Sequence, residues 1–150
     1  GKTFEENAKI KSDYGFNKTG LPCFADDSGI CIESLNWRPG VNSKRFIHKF
    51  KNEEDCFKHI IKRVEVSGKK KAYFKTSISL SINKNYNLVF SGKIDGKISS
   101  QRKGDFGFGY DPIFIPNSFN KTFAELSTKE KNELSHRSIA VTKLVNFLVN

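Results

Sequence analysis

The chain has 150 residues, 37% of them hydrophobic and 28% charged, which suits one domain of ordinary size (residues 1–150) with a sizeable core. No apolar run approaches the ~20 residues of a membrane span and nothing resembles a secretory leader, so no membrane partner is expected. The formal net charge of +10 admits nucleic acid, a phosphate-rich metabolite or a merely basic surface.

Three cysteines, Cys23, Cys31 and Cys56, have no CxxC spacing, and two of them lie in apolar runs. Buried free thiols in a reducing cytoplasm are the expectation. The chain starts at Gly1 and contains no methionine, which predicts that the gene product begins further upstream.

Thr3-Phe4-Glu5-Glu6 has the form of a capping box and predicts a helix to about Asn17, with Gly20 and Pro22 beyond its end. Thr3, Asn7 and Lys11 recur at i, i+4, i+8 and share a polar ridge, either solvated or aimed at phosphates. Phe24-Ala25-Asp26-Asp27-Ser28-Gly29 follows, with apolar residues on both sides. Two short strands are predicted there, joined by an acidic turn in which Gly29 supplies φ > 0. Adjacent carboxylates at a strand end suit a hard divalent cation such as Mg²⁺; an ordinary acidic turn is the bland alternative. Pro39-Gly40 marks a loop, and Trp37 beside it reads as a packing anchor.

A short helical turn is expected within Ser43–Phe50 and a helix from Glu53 to about Val66, where Cys56, Phe57, Ile60, Ile61 and Val64 form a stripe. Lys69-Lys70-Lys71 reads as a solvated loop. Ala72–Ile82 alternates cleanly, with Phe74, Thr76, Ile78, Leu80 and Ile82 on one face and Tyr73, Lys75, Ser77, Ser79 and Ser81 on the other. A hairpin over residues 83–87 returns it antiparallel, with Gly92 and Gly96 as candidate bulges.

Gly104–Pro112 alternates glycines with aromatics and two acids; it cannot be a helix, and its glycines let backbone approach a ligand. Ile113-Phe114-Ile115 reads as a short buried strand. Ser127-Thr128-Lys129-Glu130 is a second capping box opening a short helix that contains Lys131. Ser135-His136-Arg137 introduces the last helix and places His136 and Arg137 beside its free amides, a ready anion site. A histidine there is otherwise structural.

These motifs fall in one order. Thr3-Phe4-x-Glu6-Asn7-Ala8, Ala25-Asp26-Asp27-Ser28-Gly29 and Gly107-Phe108-Gly109-Tyr110-Asp111-Pro112-Ile113-Phe114 are followed by Thr122-Phe123-Ala124-Glu125-Leu126, Lys131 and Ser135-His136-Arg137. Together they resemble the inosine triphosphate pyrophosphatase (dITP/XTP pyrophosphatase) family over essentially the whole chain. The resemblance implies an elongated, two-lobed mixed α/β fold, a sheet flanked by helices with the nucleotide in a cleft between lobes. It implies hydrolysis of ITP, dITP and XTP to the monophosphate and pyrophosphate, with Mg²⁺ as cofactor and a homodimeric assembly. By motif, Asp27 resembles the catalytic proton acceptor and metal ligand, with Asp26 beside it, and Lys11 a catalytic lysine on the phosphates. Ser28, Phe108, Gly109, Tyr110, Asp111, Lys131, His136 and Arg137 match substrate contacts, the 108–111 segment holding the base. His136, Arg137 and amides near Gly109 are candidate donors to the purine O6.

Family members carry a strand, a Thr-Gly-Asn…Lys phosphate loop, a helix and another strand before the position of Thr3. Their absence from this sequence predicts an exposed sheet edge and poor activity of the 150-residue chain alone, and leaves an inactive nucleotide-binding or dimerising remnant as the alternative. Direct nucleic-acid binding, suggested only by charge, is not expected because the basic residues are dispersed.

Overall fold

The computed structural model describes all residues from Gly1 to Asn150. Helix α1 (Phe4–Thr19) leads into strand β1 (Cys23–Ile32), a two-residue strand β2 (Arg38–Pro39) and a short helix α2 (Ser43–Ile47). Helix α3 (Glu53–Ser67) precedes two long strands, β3 (Lys71–Asn83) and β4 (Tyr86–Ile98), and the chain ends in β5 (Phe114–Pro116), α4 (Thr128–Leu134) and α5 (His136–Val149). The strands form one five-stranded sheet in the order β2-β1-β3-β4-β5. Every ladder is antiparallel. The mixed α/β fold with helices flanking a sheet is therefore present.

Local chemistry accounts for the helix ends. Thr3 Oγ1 accepts from the Glu6 amide at 3.1 Å and Gly20, at φ 69°, closes α1. The reciprocal half of the expected capping box is not made, because Glu6 accepts from the Lys2 amide instead. Asn52 and Gly68 cap α3 in the same manner. Ser127 and Glu130 make both halves of a capping box on α4.

The acidic doublet is not at a turn. Asp26 and Asp27 lie inside one continuous strand, in register with Ile78 and Ser77 of β3. Gly29 does not have positive φ; it is required because a Cβ there would stand 2.2 Å from the Gly40 carbonyl oxygen. Gly92 and Gly96 make no bulge either, since both keep register with β3. Each admits a neighbour: a Cβ on Gly92 would meet the His136 carbonyl oxygen at 2.0 Å, and one on Gly96 the Ile115 carbonyl oxygen at 2.3 Å. Ile113 belongs to a 3-10 turn rather than to β5.

The sheet buries both faces, by different means. On the face carrying Phe74 and Ile78 lie two apolar clusters. One contains Ile30, Ile32, Phe57, Ile60, Phe74, Phe114 and Phe123; the other joins Ile78 and Leu80 to Ala140 and Leu144 of α5. The opposite face is covered by α1 through a polar seam. Ser12 is 1% exposed and its hydroxyl lies 2.8 Å from those of Ser79 and Ser81. Asn87 donates to Ser79 and Ser81, and Glu5 accepts from Ser77 and pairs with Lys75 at 2.6 Å. Alternation in β3 thus separates an apolar buried face from a polar buried one. Along Cys23–Ser28, β1 is paired only with β3, so no second strand covers its outer edge there, and Phe24 on it is 67% exposed.

Candidate nucleotide site

A cleft of about 1020 Å³ opens between the Phe74–Phe123 cluster and α5. Three elements build it. The first is the start of α5, where Ser135 Oγ accepts from the Ser138 amide at 3.1 Å and His136 is the first helical residue. Gly92 lets that helix approach β4 closely. The second is the 104–111 loop, in which Gly104, Gly107 and Gly109 all adopt positive φ. The third is β1 at Ser28, whose hydroxyl lies 2.8 Å from that of Thr76.

Asp111 anchors the loop. It is 3% exposed, accepts from the Phe108 amide at 2.9 Å and is paired with Lys131 of α4. A side chain on Gly107 would collide with this carboxylate, at 2.1 Å. Tyr110 is buried and its hydroxyl donates to the Ser43 carbonyl at 2.7 Å, so the loop is tied to α2; burial raises its pKa far above the usual phenol value. Phe108 by contrast is 69% exposed, with Lys131 Nζ 4.9 Å and the Arg137 guanidinium 5.9 Å from its ring centre.

His136 is stacked on Phe74, ring centres 4.7 Å apart and planes 9° apart. Its burial, with the nearby charges of Arg137 and Lys131, lowers its pKa to about 3. The ring is therefore neutral at working pH, and its Nδ1 is buried without a protein partner. A neutral imidazole offers one N–H donor and one acceptor.

All eight residues expected to contact substrate line this one cleft: Ser28, Phe108, Gly109, Tyr110, Asp111, Lys131, His136 and Arg137. Asp27 and Lys11 do not line it. Neighbouring strand residues point to opposite faces. Asp26 faces the cleft side and accepts from Arg137 at 3.0 Å and Ser28 at 3.2 Å. Asp27 faces α1, where Asn7 donates to it at 3.0 Å and Lys11 at 2.8 Å; Lys11 also donates to the Asp26 carbonyl at 2.8 Å.

The expected Asp26–Asp27 chelating pair is thus not formed, and no group of three or more histidine, cysteine or acidic residues stands ready to share an ion. The donor set suits Mg²⁺ in a narrower form, one carboxylate from Asp27 with the remaining oxygens from substrate phosphates. Asn7 was legible on the i, i+4 ridge with Lys11, as one of two readings of that ridge, but one contributor escaped sequence reading. Phe74, which forms the cleft wall behind His136, carries no local mark beyond its place in an alternating strand.

Known proteins resemble the chain over nearly its whole length. The model of the Ham1 family matches residues 1–147. A dITP/XTP pyrophosphatase of Christiangramia forsetii is 43% identical over 148 residues, covering 99% of this chain and 77% of that protein. One from Flavobacterium johnsoniae is 43% identical over 147 residues, covering 97% and 76%. The solved structure of the Staphylococcus aureus Ham1 protein superposes with a TM-score of 0.91 at 36% identity, over 99% of this chain and 77% of that one. A HAM1 protein from Coxiella burnetii gives 0.90 at 40% identity, over 99% and 78%. With a family model over residues 1–147 and relatives and solved structures alike over nearly its whole length, the chain belongs to the Ham1 family.

Proposed function

We propose that the chain hydrolyses deaminated purine nucleoside triphosphates (ITP, dITP and XTP) to the monophosphate and pyrophosphate. The observation that carries this reading is the convergence of the Gly-aromatic loop, Lys131 and the His136-Arg137 helix start on one cleft large enough for a nucleoside. The names of the relatives, dITP/XTP pyrophosphatases, support the same substrate class.

Attack of water on the α-phosphorus requires a positioned water, an acceptor for its proton and charge stabilisation along the phosphates. Asp27 is the acceptor. Asn7 holds its carboxylate and leaves lone pairs free for a water. Lys11, which donates to Asp27 and to the Asp26 carbonyl, is the cation assigned to the leaving pyrophosphate. Asp27 would help hold Mg²⁺, which would supply charge stabilisation on the phosphate oxygens.

Hypoxanthine and xanthine present an acceptor at the 6-position where adenine presents an amino donor. The single N–H of neutral His136 and the guanidinium of Arg137 favour O6, and an adenine amino group there leaves donors facing donors, at about 1–3 kcal/mol. A homodimer and a cytoplasmic location go with this reading, and no helix is long and apolar enough to cross a membrane.

Mg²⁺-dependent pyrophosphate release from ITP, measured beside ATP, is the test. ITP turnover well above ATP turnover, lost in Asp27→Asn, is expected. Nucleotide binding without any pyrophosphate release identifies a binding remnant instead. Unchanged ITP-over-ATP preference in both His136→Ala and Arg137→Ala removes the proposed readers of O6.

A further inference from the structure

On the α1 side of the sheet, beyond the start of that helix, part of the sheet face is left open. Tyr73 lies at its centre. Trp37 leans on Tyr73, ring centres 5.6 Å apart, and is itself 46% exposed. Lys93 Nζ stands over the other aromatic partner, 4.4 Å from the Tyr73 ring centre. The pleat places Lys71 and Lys75 of β3 on the same face, and the register sets Lys97 opposite Lys71 and Lys93 opposite Lys75.

The backbone is strained to present this tryptophan. Asn36 and Trp37 both have positive φ, 54° and 63°. For a bulky side chain that conformation costs of order 1 kcal/mol or more and persists where its surroundings enforce it. A core anchor would be buried; this ring is offered to solvent on a basic floor. The carboxylates that register and contacts put here, Asp95 and Glu5, are paired with Lys93 at 2.8 Å and Lys75 at 2.6 Å.

We propose that this face is a docking surface for single-stranded nucleic acid, with one base stacked on Trp37 and the backbone running between the lysine pairs. The spacing favours a strand over a mononucleotide. Lys71 and Lys75 are four residues apart on β3, about 13 Å, roughly two phosphate-to-phosphate steps of an extended strand and more than the phosphates of one nucleotide span. The surface is open rather than concave, so a free nucleotide has little to enclose it. Base–aromatic stacking with flanking cations is tolerant of sequence. This departs from the expectation of no direct nucleic acid drawn from the dispersal of charge along the chain; the fold gathers lysines that the sequence separates. The inference does not depend on the proposed catalysis.

Trp37 is the only tryptophan, so its fluorescence reports on this surface alone. The test titrates the chain with an oligothymidylate of about 12 nucleotides, by tryptophan quenching and by anisotropy of a labelled strand. Quenching on binding is expected, with a log K against log[salt] slope of about −1.4 from Lys71 and Lys97, since Lys75 and Lys93 are held by Glu5 and Asp95. Trp37→Ala weakens anisotropy-detected binding roughly tenfold. The exposed pair Lys71→Glu/Lys97→Glu, which leaves the core untouched, does at least as much, and Asp95→Asn tightens binding.

A control pair on α3, Lys58→Glu/Lys62→Glu, leaves affinity within about twofold. Equal losses in the control and platform pairs would mean that net charge alone attracts the strand, and the proposal fails. Competition by ITP moves the strand to the cleft and equally overturns it. Absence of quenching at low salt does so directly. None of these readouts involves pyrophosphate release.

Discussion

Asp27 and His136 show how environment assigns a role to a side chain. Asp27 is held from two sides by Asn7 and Lys11 and is largely shielded, with its side chain 15% exposed. Asp27→Asn keeps the shape and removes the proton acceptor, so pyrophosphate release from ITP falls at least ~10²-fold while the thermal midpoint changes little. His136 behaves differently. Its folded pKa of about 3 lies below the ordinary 6.5, so the unfolded chain binds more protons between those values. Stability conferred by the wild-type fold is therefore lost as pH falls from about 6.5 toward 3. His136→Phe, which keeps the stack on Phe74, flattens that slope, as thermal melts across this range will record. A parallel loss of stability in both proteins would place the acid sensitivity elsewhere.

At the scale of elements, α1 and α5 are attached to the sheet by opposite chemistries. Helix α5 is seated by Ala140 and Leu144 on Ile78 and Leu80, and by the absence of a side chain at Gly92. Gly92→Ala forces a methyl against the His136 carbonyl and the Ala140 amide, costing about 1–3 kcal/mol, and displaces the start of α5. The KM for ITP rises with it because Arg137 and His136 move together. Helix α1 is instead registered by hydroxyls and charges. Ser12→Ala leaves Ser79, Ser81 and Asn87 short of a partner in a buried seam, at about 1–3 kcal/mol by denaturant unfolding. Were that variant as stable as the parent, the seam would be solvated rather than a register device.

For the whole molecule, the consequential feature is the free side of β1. No second strand pairs it along Cys23–Ser28, where only Lys11 reaches the Asp26 carbonyl, and Leu21 and Phe24 at its start are exposed. Such an edge recruits further strands. The chain is expected to self-associate with rising concentration in sedimentation velocity, and Phe24→Lys to reduce that association. A monomer at every concentration, with or without the substitution, rules out the edge as an association surface.

Much of this was legible in the residues because it depends on near neighbours in the chain. Caps at Thr3, Ser127 and Ser135, the helical stripe of α3 and the period-two pattern of β3 are local, and they predict their elements within a few residues. The cleft residues were legible as motifs, each with side chains unusual for its place: glycines among aromatics, a His-Arg pair at a helix start. The misreadings share a cause. A strand, a turn and a bulge all accept Asp-Asp-Ser-Gly or a lone glycine; which one forms depends on what lies across the sheet. Gly29, Gly92 and Gly96 are small because Gly40, His136 and Ile115 approach them, and those partners are far away in sequence. The same holds for the acidic doublet. Sequence placed two carboxylates side by side; only pairing with β3 turned them to opposite faces, giving Asp26 to Arg137 and the cleft and Asp27 to Asn7 and Lys11.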